Sequence, residues 1–126
     1  MFSNTEYKLI KSALIIEKAA AEQLAAAAEP GTEYEKEMVR YSLEINTLYH
    51  KIPLVVDGAS SGLTVRELDV INSALVHAMR AARSVFPGVR SVLGERSRDE
   101  LLQLEKDLDA VNYKVILYAY EMEGKQ

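Results

Sequence analysis

The strongest constraint in this 126-residue chain is a short string that occurs four times. Ser3-Asn4-Thr5-Glu6, Thr32-Glu33-Tyr34-Glu35, Thr64-Val65-Arg66-Glu67 and Ser97-Arg98-Asp99-Glu100 each set a hydroxyl residue three positions before a glutamate. This spacing makes a capping box: the hydroxyl accepts from the amide of the third helical residue, and that residue's carboxylate accepts from the amide of the cap. One match carries little weight. Four matches, each following a break and preceding a periodic apolar run, predict four helix starts. The breaks are Glu29-Pro30-Gly31, Pro53 through Gly62, and Phe86 through Arg96, where proline cannot continue a helix and glycine supplies left-handed backbone. Phe2 with Tyr7, and Leu63 with Leu68, have the spacing of hydrophobic staples.

The intervening periodicity agrees. Tyr34, Met38, Tyr41, Ile45, Leu48 and Ile52 step by four and three, as do Leu68, Ile71, Leu75, Ala78, Ala82 and Val85. The last segment does the same with Leu101, Leu104, Leu108, Val111, Val115, Tyr118 and Met122. This is the seam of a helix bundle. The helices are expected over about 4–28, 33–52, 65–86 and 98–123 in one domain spanning 1–126, with Pro53-Leu54-Val55-Val56 as a loop over a bundle end. The first segment is apolar nearly all round. Such a helix is either central in its own bundle or presents a face to a partner, and Ile15, Ile16 and Ala19 are the candidates for that face.

Residues 2–14 and 63–75 repeat one another. Glu6, Ile10, Ser12, Ala13 and Leu14 recur as Glu67, Ile71, Ser73, Ala74 and Leu75, and Phe2, Ser3, Tyr7 and Leu9 recur in kind as Leu63, Thr64, Leu68 and Val70. A helical hairpin used twice accounts for this. The seams of helices two and four do not superpose without a shift. The expected fold is therefore all-α, an antiparallel four-helix bundle built from two similar helical hairpins.

Several kinds of chemistry are excluded. There is no cysteine, hence no disulfide framework, thiolate metal site or cysteine nucleophile. The two histidines, His50 and His77, form no metal-binding helix motif with neighbouring residues. His50, beside Lys51, is expected to complement the carbonyl end of helix two, and His77 to flank the seam of helix three as a half-exposed packing residue. Gly58 and Gly62 lack the lysine and spacing of a phosphate loop. No cofactor or metal is expected. Apolar runs fall short of the ~20 residues of a membrane span. The start lacks the basic flank of a signal peptide, so a cytoplasmic location is expected.

Leu63-Thr64-Val65-Arg66-Glu67-Leu68-Asp69-Val70-Ile71 resembles the opening of the LuxR-type helix-turn-helix. The resemblance covers nine residues. The run that follows, Asn72 to Val85, continues one helix with no turn before a reading helix, so DNA binding is not carried over.

Two uneven features point to binding. The formal net charge is −4, yet residues 75–98 hold Arg80, Arg83, Arg90, Arg96 and Arg98 against one acid, Glu95. The planar guanidinium suits bidentate contact with carboxylate or phosphate, and a helix start adds free amides. These five are the candidate anion site, with Arg90, Arg96 and Arg98 expected in the loop and at the start of helix four. Duplex nucleic acid is disfavoured by the acidic balance. The second feature is aromatic. Tyr49, Tyr113 and Tyr120 lie off the seams, as amphipathic cover or interface anchors. The expected function is a small non-enzymatic regulatory or adaptor protein that binds another protein, as a homo-oligomer. Its size and lack of catalytic sets suit a phage or mobile-element protein that blocks a host factor. The alternative is a binder of an anionic small molecule such as a nucleotide.

Overall fold

The computed structural model describes the backbone of residues 2–56, 62–92 and 94–124, and side chains over 2–55, 62–82 and 99–124. Four helices follow one another: α1 Asn4–Ala27, α2 Glu33–Val56, α3 Val65–Val92 and α4 Gly94–Gly124. No strand occurs among the described residues. The fold is an antiparallel four-helix bundle of two hairpins, α1 with α2 and α3 with α4, in which α1 and α3 form the central pair.

The caps form as their spacing predicts at two starts and partly at a third. Glu6 N–H donates to Ser3 Oγ (3.1 Å) and Ser3 N–H to Glu6 Oε1 (2.8 Å). Thr64 and Glu67 make the same reciprocal pair at 3.1 and 2.8 Å. At α2 the Glu35 amide donates to Thr32 Oγ1, but the Glu35 carboxylate accepts from Gly31 N–H rather than from Thr32. Gly31 has φ +81°, in the left-handed region that glycine adopts without strain, and this aims its amide at the carboxylate. The staple Phe2–Tyr7 is an edge-to-face ring pair at 5.4 Å.

Three boundaries differ from the sequence reading. Helix α2 runs through Pro53 to Val56. Ile52 is fully buried and Val55 packs on the core, so the apolar seam continues past the proline and outweighs its one missing backbone donor. His50 therefore lies inside α2, not in its last turn, exposed and edge-on to the Tyr49 ring. Helix α3 continues to Val92 and α4 begins at Gly94, so most of the expected break across Phe86–Arg96 is helical. The fourth capping string then lies inside α4, and the side chains of Ser97 and Arg98 fall outside the described residues. Tyr34, placed in the seam by its spacing, is largely exposed.

The core restates the repeat in three dimensions. Phe2, Tyr7, Ile10, Ala13 and Leu14 are buried, and so are Leu63, Leu68, Ile71, Ala74 and Leu75, each 61 positions later (Glu6 to Glu67). The second helices superpose at a different step. Ile45, Leu48, Ile52 and Val55 correspond to Leu108, Val111, Val115 and Tyr118, each 63 positions later (Lys51 to Lys114), and all eight are buried or packed on the core. The two extra positions enter between the helices of the second hairpin, so each pair of helices keeps its own register. Contacts between hairpins are reciprocal. Lys114 on α4 bridges Glu6 on α1, and Lys51 on α2 bridges Glu67 on α3. Exchange of partners in this way is what an approximate two-fold relation between the hairpins produces.

Candidate functional site

The two-fold relation pairs two places, each built by one helix of one hairpin and both helices of the other. The described side chains fill them differently.

In the first place α1, α2 and α3 converge on Glu17. Its carboxylate is buried, with 5% of the residue exposed. Tyr41 Oη donates to Oε2 at 3.0 Å. His77 Nδ1 lies 2.8 Å from both carboxylate oxygens. An ionised carboxylate can only accept, so Nδ1 of the ring is the donor, and in the neutral ring that leaves the lone pair on Nε2. The His77 side chain is 53% exposed, and its hydrogen bonds to Glu17 run through Nδ1. Burial, with the Glu17 carboxylate beside it, pushes the Tyr41 phenol well above the ordinary tyrosine range. A buried charge is costly unless paired, and here two donors from two other helices pair it.

In the second place α1, α3 and α4 leave an open groove of about 240 Å³. Leu9, Ile16, Leu101, Leu104 and Leu108 line it with Ala13, Ala78, Ala81 and Ala82, and among the described residues Ser12 is its one polar side chain. Correspondence with the first place is residue for residue. Ile16 stands where the repeat sets His77, Ala78 where it sets Glu17, and Leu104 where it sets Tyr41. Three linked positions are thus polar in one half and apolar in the other.

The interface candidates separate. Ile15, Ile16 and Ala19 are exposed on α1, outside the stripe buried by Ile10, Leu14 and Ala21. Helix α1 is therefore both central and open on one face. Tyr49 is cover: it is half-buried, and Lys11 Nζ lies 4.9 Å from its ring centre. Tyr113 and Tyr120 are 65% and 76% exposed. With Ile116 and Leu117, also exposed, they form an i, i+3, i+4, i+7 stripe on the side of α4 opposite Leu108, Val111 and Val115. The repeat of the first helices carried no sign of this stripe, because it lies on the second helix.

Among the arginines, Arg80 is exposed on α3, one turn from His77. The backbone sets Arg90 within α3, and Arg96 and Arg98 within α4, rather than in a loop; the side chains of Arg83, Arg90, Arg96 and Arg98 lie outside the described residues. Among the described residues no cluster of three or more metal-ligating side chains occurs, and no helix is long and apolar enough to cross a membrane. The Glu17–Tyr41–His77 cluster escapes sequence reasoning because its members are 24 and 60 positions apart from Glu17. A usable signal did exist: a glutamate in the buried register of α1.

No family model, no curated protein and no solved structure matches this chain.

Proposed function

We propose that this chain is a non-enzymatic binding module that acts through protein–protein contact and associates with itself. The observation that carries this reading is the apolar stripe of Tyr113, Ile116, Leu117 and Tyr120 on the outer face of α4. Its spacing is that of a helix that inserts its apolar face into a partner, and tyrosine is a common anchor of such contacts. The stripe is compatible with itself: two copies of α4 laid antiparallel bring Tyr113 of one to Tyr120 of the other, and Ile116 to Leu117. A two-fold pair of this kind closes without leaving a free copy of the surface. Exposed Ile15 and Ile16 on α1 and the groove beside Ile16 give a second apolar surface for a different protein.

Light scattering across micromolar concentrations tests self-association. The expected result is a dimer that Ile116→Lys converts to a monomer while helical content is kept. A wild-type chain that is monomeric throughout, or an Ile116→Lys chain that dimerises unchanged, overturns it.

A further inference from the structure

The two-fold relation supplies an internal control for the Glu17 cluster. The symmetry-related place keeps the same helix arrangement while its matching positions hold Ile16, Ala78 and Leu104, with no buried charge among the described residues. The scaffold therefore does not need the polar set, and apolar replacements of a buried ionic cluster are commonly as stable. What the polar set does supply is a prepared imidazole. Glu17 holds Nδ1–H at 2.8 Å, Tyr41 holds Glu17, and Nε2 faces outward on a side chain that is 53% exposed. The side chain stands half in solvent rather than enclosed, so a phosphoryl donor is best presented to it within another protein's site. Arg80, three residues on along the same helix, is exposed beside it and suits the oxygens of a tetrahedral anion.

We propose that His77 is a modification site that accepts a phosphoryl group on Nε2 from a phosphorus–nitrogen donor, the bond type of a phosphohistidine on a partner protein. The Nε2 lone pair attacks phosphorus and forms a new N–P bond as the donor's P–N bond breaks. The bonding pair leaves on the donor nitrogen; a donor imidazole whose other nitrogen carries a hydrogen keeps it as a lone pair, and the amide nitrogen of phosphoramidate takes one proton from water and leaves as ammonia. His77 keeps its Nδ1 hydrogen throughout. The ring therefore gains positive charge as the bond forms, and the Glu17 carboxylate, shielded from water, lies where it stabilises that charge. Glu17 and Tyr41 act as positioning residues. Nothing is oxidised or reduced.

Potassium phosphoramidate is the probe, and His50 is the control within the same chain, since its ring is exposed and contacts Tyr49 rather than a carboxylate. The expected product is one acid-labile, alkali-stable phosphoryl group on Nε2 of His77, formed about tenfold or more faster than on His50, the size of effect seen when an orienting partner of a histidine matters. His77→Ala abolishes this product and His50→Ala does not. Glu17→Gln slows it by a similar factor, and imidazole ¹⁵N shifts show the Nδ1–H form of His77 in the wild type and its loss in that variant. Arg80→Ala slows it less. Equal rates at His50 and His77 in the unmodified chain overturn the proposal without reference to any variant, as does a Glu17→Gln chain of unchanged helical content that reacts at the wild-type rate.

Discussion

Lys114 Nζ lies 2.9 Å from Glu6 Oε2, so the carboxylate that caps α1 is held by a lysine from the other hairpin. Lys51 and Glu67 make the reverse contact at 2.6 Å. Each capping glutamate therefore does two jobs. It closes the first turn of its own helix, and it ties that turn to the last helix of the opposite hairpin.

This arrangement predicts an acid limit to stability. The Lys114 ammonium, and then the Ser3 amide, hold the Glu6 carboxyl below the usual carboxylate value of 4.5. Burial alone would raise Glu67, but Lys51 and the Thr64 amide and hydroxyl together bring it below that value. Arg66, in a bidentate pair with Glu44 at 2.7 and 2.8 Å, lowers Glu44 as well. A carboxyl depressed in the folded state contributes stability that is fully present above its unfolded value and is lost as pH falls through its folded value. The urea midpoint is expected to be flat above pH ~5 and to fall below pH ~4.5. A Glu6→Gln/Glu67→Gln chain is expected to lose much of this slope; the same slope in that chain would refute the assignment.

Glu67→Ala removes a reciprocal cap and leaves Lys51 without its anion. Loss of a cap costs about 1 kcal/mol, and a part-buried charged hydrogen bond adds about 1 kcal/mol more. Equilibrium unfolding is expected to report about 2 kcal/mol, and a double-mutant cycle with Lys51→Met a coupling of about 0.5–1 kcal/mol. Zero coupling would mean that the 2.6 Å contact adds nothing between the hairpins.

The polar and apolar halves of the two-fold make a transplant possible. A Glu17→Ala/Tyr41→Leu/His77→Ile chain carries at the first place the residues that the second place already uses. It is expected to fold with stability equal to the parent or about 1–2 kcal/mol higher, because no buried charge remains to be desolvated. Tyr41→Phe alone, which strips one donor from the buried carboxylate, is expected to lose about 1–2 kcal/mol. A triple variant less stable than Tyr41→Phe would show that the cluster supports the fold.

Corresponding core positions should respond alike. Leu14 and Leu75 are both fully buried in the central pair. Each truncation to alanine is expected to cost about 2–5 kcal/mol, with the two values close to each other, whereas Leu43→Ala on the exposed face of α2 is expected to change stability by under about 0.5 kcal/mol. Thermal or urea unfolding of the three variants checks this.

What the sequence determined by itself is whatever depends on residues within a turn or two of one another. Ser3 with Glu6 and Thr64 with Glu67 are close along the chain, so their caps form wherever the helix goes. The 3.5-residue seams name Ile45, Leu48, Leu108 and Val111 as core, because a helix fixes which side chains share a face. The repeat of 2–14 in 63–75 shows two hairpins for the same reason. Only the tertiary structure decided the rest. Ile52 and Val55 carry α2 through Pro53 because a core is there to receive them. The 63-residue step of the second helices emerges from what they bury, since an insertion between helices changes numbering but not packing. Glu17, Tyr41 and His77 meet because three helices converge, and Ile16, Ala78 and Leu104 leave a groove at the matching place. Both triplets obey the same local helix rules; whether a lone polar residue is a cost or a site depends on partners that are distant in the chain and adjacent only in the bundle.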